Sequence, residues 1–552
     1  MVSKTHSSAG VYHRIRDFSN LSTQVAGMRV GMVGCAERGP VNTVFRTYSK
    51  DDWSQYYGKR NHVKYGYMGI AASLLHPFTN SLYNVRLAPE AEYASAHLTI
   101  DDVKAASPRL YLSNHSDQDG NVLGVKSPDE LGWLPTDAGL KNELGIFYAA
   151  NPGEWNKKVT FFIKPNVPKG LDPISDRARY DTSKFKVLVY ENFETIVAQP
   201  DETHVCTFDY CTDADGVQFR MEDVLLRDSK ILRFKRNEAC AAIPVVRTTQ
   251  VTFAAGSDGR LPTSAELALA YQEHFSDPET CSCNLLVNVM GFDHVTHRAM
   301  LAASEPHYNC NAWLSVAPDL QTVRNATNYR DSVLNVSSYY GALFTGDFRV
   351  FDDEEARPIF VPMAIHAATV YLRSGFVKAP AGIRRSSHLK VVGARHIYRQ
   401  DERNVLTNYQ INYPRKMPDE IGGGYALWEQ LTLYRKASAL RNINVRAVSG
   451  YILELCASKA KYGLFDPNDR LLRQDLKTKS ESELKIVSQS GALNVLDGAT
   501  PYEVICDDSN NTSATIANGD LILDVVIDPT ATVRRIFMRY NINPKGSTVT
   551  VQ

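Results

Sequence analysis

No apolar run in these 552 residues is long enough to cross a membrane as a helix. The longest, 359–372, is interrupted by Pro362 and His366 and falls short of the roughly 20 residues that a hydrocarbon core demands. Met1-Val2-Ser3-Lys4-Thr5-His6-Ser7-Ser8 lacks the apolar stretch that directs secretion. Excess charge is missing as well. The 61 Lys and Arg offset 61 Asp and Glu, so bulk electrostatics supply no reason to expect nucleic acid or a membrane as partner. The nine cysteines contain no C-x-x-C pair, and reduced, buried thiols are the expectation. Cofactor motifs fail in turn. Gly256-Ser257-Asp258-Gly259 is neither a dinucleotide fingerprint nor a P-loop and reads as a turn. Gly422-Gly423-Gly424 reads as a linker or tight turn, and no G-x-S-x-G elbow occurs. No cofactor is expected.

What is present is ordinary globular composition, 43% hydrophobic and 22% charged, in a length that suggests about three to four domains. Two clusters come nearest to chemistry. His294-x-x-His297, beside Asp293 and upstream of His307, has two histidines that share a helical face, but lacks the H-E-x-x-H spacing of a zinc hydrolase. Asp352-Asp353-Glu354-Glu355 reads as a cation site or, more simply, a solvated loop. A metal-dependent cytosolic α/β hydrolase using Asp293, His294 and His297 is the reading from a different class, with neither cluster expected to hold a resident metal.

Composition shifts divide the chain. Residues 1–20 hold a short extended segment, Val11-Tyr12-His13-Arg14-Ile15, after a polar leader. Between 21 and 100 come a glycine-punctuated strand, Met28–Cys35, a helix opened by Asp51-Asp52, a helix over Tyr67–Leu75 and a buried strand, Ser81–Leu87. The text from 101 to 247 is strand and turn, a mostly-β insert. From 248 to 370, helices near 264–274 and 295–304 alternate with strands near 284–289 and 312–316, which argues for an inserted α/β unit.

The last third, 371–542 with a tail at 543–552, ends in β-structure that lacks a partner. Val445, Val448, Ile452, Leu455 and Cys456 share one helical stripe. A second helix, capped at Asn468 or Asp469 and stopped by Gly491, carries Leu472, Leu476, Leu484 and Val487 on a core face and Arg473, Lys477, Glu481 and Lys485 on the opposite ridge. Two alternating strands follow, one with Leu523, Val525 and Ile527 on a single face, the other with Ile536, Met538 and Tyr540. Beyond Pro544 and Gly546, Thr548-Val549-Thr550-Val551 is β-branched but too short to bury anything alone. Both terminal segments read as arms needing a sheet edge, which a neighbouring copy can supply.

Taken in order, several of these segments resemble the contractile tail sheath proteins of myovirus-type bacteriophages. The residues that carry the likeness are Gly10-Val11-Tyr12, 33–42, Leu82–Leu87, Asn151–Asn156, 255–259, Lys378-Ala379-Pro380-Ala381-Gly382, Val392–Arg395, Asn442–Arg446, Phe465–Asp469, 504–512 and Asp528-Pro529. Ala447 stands where the family often has a second arginine, and 401–425 is longer than usual. The resemblance implies a multidomain α+β and α/β chain whose core, a mixed sheet with helices, comes from both ends, with the inserts facing outward. It also implies a structural subunit, not an enzyme, that stacks as hexameric rings around a tail tube and contracts. Expected partners are further copies of the chain, the tail tube protein, and baseplate and tail terminator proteins, with neither nucleic acid nor membrane insertion. The place would be the virion, after assembly in the host cytoplasm. An R-type pyocin or type VI secretion sheath is the related alternative. Arg473, Lys477 and Lys485 are the candidates to face the tube.

Overall fold

The computed structural model describes residues 27–534, apart from short stretches at 102–108, 118, 134–142, 169, 172–175, 180, 194–198, 210, 213–215, 241–245, 387–390, 419, 421–422 and 496–498. Strand β1 (Arg29–Gly34) alternates Val30 and Met32 toward one apolar cluster and Val33 toward another. It therefore needs cover on both faces, as parallel strands do. β2 (Val44–Thr47) and β3 (Ser81–Arg86) pair beside it. Helix α1 (Lys50–Tyr57) begins where Ser49 accepts from the Asp52 N–H at 3.0 Å, and α2 (Met68–Leu75) packs with it on the first face.

Eight strands then form two antiparallel sheets around one shared cluster that includes Leu98, Phe147, Phe161, Phe185 and Val187. They are β4 (Ser95–Asp101), β5 (Arg109–Asn114), β6 (Glu143–Ala149), β7 (Thr160–Pro165), β8 (Lys184–Tyr190), β9 (Glu202–Thr207), β10 (Leu232–Arg236) and β11 (Thr249–Thr252), ordered β10-β6-β4-β5 and β11-β7-β8-β9.

After α3 (Ser264–Phe275), opened by a Thr263/Glu266 capping box, come β12 (Leu285–Val287), α4 (His294–Ser304), β13 (Asn311–Ser315) and β14 (Gly341–Phe344). β15 (Phe348–Asp352), β16 (Arg357–Val361), α5 (Met363–Ser374), β17 (Val391–Ala394), β18 (Ile411–Lys416) and β19 (Tyr425–Trp428) follow. The main sheet runs β19-β18-β14-β13-β12-β1-β3-β2, with six parallel strands in the middle and an antiparallel strand at each edge. Helices α3 and α4 cover one face, and α1, α2 and α5 the other.

This topology differs from the division expected at 248 and 370. β12, β13 and β14 are not a separate insert but lie in the centre of the sheet that β1 and β3 begin. Neighbours in a parallel sheet are chosen by crossover connections, not by closeness in sequence. After β11, the last strand of the paired antiparallel sheets, the chain returns to that sheet at β12. The architecture is mixed α/β with several sheets, and among the described residues no helix is long and apolar enough to cross a membrane.

Candidate assembly surface

The C-terminal unit is bolted to the main sheet by polar groups. Helix α6 (Ile443–Ala460) starts where Gln430 and Asn444 exchange bonds: Gln430 Nε2 donates to Asn444 Oδ1 at 2.9 Å, and the Asn444 N–H donates to Gln430 Oε1 at 3.2 Å. One turn on, the buried Arg446 donates to the Tyr308 carbonyl at 3.2 and 3.3 Å and lies over the Tyr340 ring, 4.6 Å from its centroid. Burial pulls this guanidinium below its usual range. Gly450 lets the guanidinium lie close, because a Cβ there would sit 2.4 Å from it and 3.0 Å from the Tyr308 carbonyl oxygen, so a larger residue would have to shift that arginine. Helix α7 (Arg470–Gln489) folds back along α6, capped by Asp469, which accepts from the Leu472 N–H at 2.8 Å, and tied by Lys459 to Glu483 at 2.8 Å.

The last two described strands, β20 (Tyr502–Ile505) and β21 (Asp524–Ile527), make a two-stranded antiparallel ribbon in the register Tyr502↔Ile527 to Ile505↔Asp524. Leu523, Val525 and Ile527 are half-buried against the core while Asp524 and Val526 are exposed, which is the alternation expected. Among the described residues no strand pairs with the outer edge of either member. Two strands with one wet face are marginal by themselves, and each open edge presents N–H and C=O groups in strand geometry.

The other predicted site residues fall as follows. Val11, Tyr12, His13, Arg14 and Ile15, with Ile536, Met538, Tyr540, Thr548, Val549, Thr550 and Val551, lie outside the described residues. Lys477 is half-buried and Lys485 exposed, but Arg473 is not on their solvated ridge. It is buried on the same stripe as Leu476, Ser480, Leu484 and Val487, and its Nη2 donates to Asp508 at 3.0 Å. Position 473 is three before 476, so helical geometry puts it on the core face.

The clusters that suggested metal chemistry are committed elsewhere. Asp293 caps α4, accepting from the Val295 and Thr296 N–H groups. His297 is fully buried, with Nδ1 2.7 Å from the Tyr329 hydroxyl and Nε2 facing Asn288 Oδ1 at 3.4 Å, and burial drives its pKa down to about 3. His307 Nε2 meets the Phe275 carbonyl at 2.8 Å. Three of the four acids in the run are paired: Asp352 accepts from Arg60 at 2.8 Å, Lys50 and Arg60 reach Glu354, and His62 reaches Glu355 at 2.6 Å. Among the described residues no three His, Cys, Asp or Glu converge as a metal site. Burial also lifts the thiols, Cys35 to about 12 and Cys281 to about 11, far from nucleophilic range.

One joint went unforeseen. Arg86, at the end of β3 and fully buried, donates to the carbonyls of Gly39 at 2.8 Å, Ala36 at 3.0 Å and Pro152 at 3.0 Å. Asp258 accepts beside it from Lys64 at 2.6 Å, the Glu154 N–H at 2.7 Å and the Tyr65 hydroxyl at 2.9 Å. Gly256, at φ +114°, lets these turns nest, since a Cβ there would lie 2.6 Å from the Gly153 carbonyl oxygen. Four of the segments that carry the family resemblance thus meet in one knot joining the main sheet to the paired antiparallel sheets. Its only sequence signal was a charged residue closing a buried strand.

No family model matches the chain. In sequence it is similar to the tail sheath protein of Enterobacteria phage T4, at 26% identity over 226 residues, 40% of this chain and 33% of that protein. The tail sheath protein of Vibrio phage KVP40 is likewise 26% identical over 212 residues, 38% of this chain and 30% of that one. The matches span about a third of these curated relatives' length. In fold the chain is similar to the sheath tail protein of Listeria innocua, with a TM-score of 0.56 at 11% identity, covering 91% of this chain and 95% of that one. The likeness to tail sheath proteins is therefore present in both sequence and fold.

Proposed function

We propose that this relative of phage tail sheath proteins is the structural subunit of a contractile tail sheath. It polymerises as stacked hexameric rings around a tail tube and shortens to drive that tube through a host envelope, as a virion component assembled in the host cytoplasm. The observation that carries this reading is the β20–β21 ribbon, with no strand on either outer edge among the described residues, in a chain whose residues 11–15 and 548–551 read as short extended segments needing an edge. An added strand with about four or five main-chain bonds, each worth a net ~1 kcal/mol, contributes roughly 4–5 kcal/mol per joint. Contacts of this head-to-tail kind that do not close on themselves generate helical arrays.

Contraction then needs no nucleotide. Two packings of the same subunits that differ by a few kcal/mol each are enough, because the difference is summed over the array. In this reading the arms stay paired while the bodies move, the paired antiparallel sheets of 101–247 face outward, Lys477 and Lys485 turn toward the tube, and baseplate and terminator proteins bound the array. Negative-stain microscopy of the purified chain tests it: striated tubes are expected, and deleting residues 1–16 and 543–552 should abolish them. Tubes that persist after both deletions would refute the strand-exchange reading.

A further inference from the structure

Charge that balances over the whole chain is sorted within it. Between 373 and 395 stand Arg373, Lys378, Arg384, Arg385, Lys390 and Arg395 with no Asp or Glu. Between 499 and 533 stand Glu503, Asp507, Asp508, Asp520, Asp524 and Asp528 with no Lys, Arg or His. The first stretch folds into a cleft of about 340 Å³ after α5, lined by Arg373, Ser374, Lys378, Arg384 and Arg385. Arg385 is half-buried and held by its Nη1 bond to the Ala379 carbonyl at 3.1 Å, and Arg373 donates to the Arg385 carbonyl. Among the described residues none of the four cleft cations makes an ion pair, although like charges crowded together repel. The second stretch is the β20–β21 ribbon and its connection, where Glu503 and Asp520 are exposed and their side chains unbonded.

We propose that the Arg373/Lys378/Arg384/Arg385 cleft receives the carboxylate-rich β20–β21 unit of a second copy of this chain. The inference rests on the self-assembly reading and adds to it a polar contact separate from strand exchange. Each copy carries both halves and its own acids do not reach its own cleft, so the contact is heterologous and propagates. The ribbon's main-chain edges stay free for added strands, because the contact uses outward side chains. Pairing of opposite surface charge fixes register and speeds association, and salt weakens it.

The test uses the full chain and four variants: Lys378→Glu with Arg384→Glu, the neutral Lys378→Gln with Arg384→Gln, Glu503→Lys with Asp520→Lys, and the four reversals combined. All four positions are exposed and make no side-chain hydrogen bond, and matched thermal midpoints check folding. The readout is the critical concentration for sedimentable polymer at about 50 mM and about 500 mM salt. Each double reversal should raise it about tenfold at low salt, the neutral pair less, and the fourfold reversal should return it to within about threefold of the parent. Unchanged polymerisation of the doubles, or a fourfold variant no better than either double, overturns the contact. Binding of short duplex DNA that is lost in Lys378→Glu with Arg384→Glu, without any polymer defect, overturns the choice of occupant. If the doubles assemble normally while the arm deletions do not, this contact alone fails. If the parent forms no polymer, the self-assembly reading falls with it.

Discussion

The main sheet and the β20–β21 ribbon use the same alternating residues but complete their bonding in different places. In the sheet every parallel strand has neighbours on both sides and helices above and below, and buried charges such as Arg86 are surrounded by carbonyls of the same chain. In the ribbon one face is wet and, among the described residues, no strand lies on either outer edge. The described chain completes the sheet by itself, whereas no described strand completes the ribbon. Substitutions in the two regions should therefore separate folding from assembly.

The largest effect is expected at the knot. Arg86→Leu strands three buried carbonyls and should cost about 3–5 kcal/mol of folding stability, read as a shifted urea midpoint on unassembled chain. Val526→Lys, on the ribbon's exposed face, should change that midpoint by under about 0.5 kcal/mol. Equal losses at the two sites would erase the distinction.

Acid should also act on the sheet rather than the ribbon. His366 is buried in α5 with neither ring nitrogen bonded among the described residues, and burial lowers its pKa to about 4. Below pH 6.5 the unfolded chain takes up this proton and the folded chain does not, so stability falls as pH drops from 6.5 toward 4, by about 3 kcal/mol in all. His297, held down to about 3, acts in the same direction, so His366→Leu should reduce the acid-side loss by about 3 kcal/mol without abolishing it. Asp347 runs the other way. Burial raises its carboxyl to about 6, partly offset by Gln321 and by Arg395 at 3.3 Å. The folded chain then holds a proton that the unfolded chain has lost, and stability falls by about 2–3 kcal/mol as pH rises from 4 to 6. Asp347→Asn should remove that fall. The two contributions oppose each other in the wild type, so a stability–pH curve between pH 4 and 6.5 whose shape neither substitution alters would contradict both assignments.

These regions were unequally legible in the sequence. Periodicity located β1, β3, α3, α4, α6 and α7 because each buries one stripe or both faces, which is a property of neighbouring residues. The place of β12–β14 in the main sheet was not legible, since strand order depends on crossovers that leave no periodic mark. Arg473 was misplaced because its charge outweighed its spacing from Leu476, and its partner Asp508 is 35 residues away. The Arg86 knot draws on turns from four separate segments, so no window of sequence contains it. For the candidate surface, the odd-position alternation of 523–527 was legible; that no described strand covers either edge of the ribbon required the fold.

A small effect of the opposite sign is expected at the bend between α6 and α7, where Tyr462, Leu464, Phe465 and Leu471 are all exposed. Phe465 is fully exposed and sits at φ +70°, a backbone region that disfavours a bulky side chain by about 1 kcal/mol. The isolated chain gains neither burial nor backbone ease from this ring. Phe465→Gly should thus leave the urea midpoint unchanged or raise stability by up to about 1 kcal/mol, the relief at positive φ being offset by glycine's greater freedom when unfolded. A loss above about 1 kcal/mol would mean that the ring is buried in the folded monomer and that this bend behaves like the sheet and not like the ribbon.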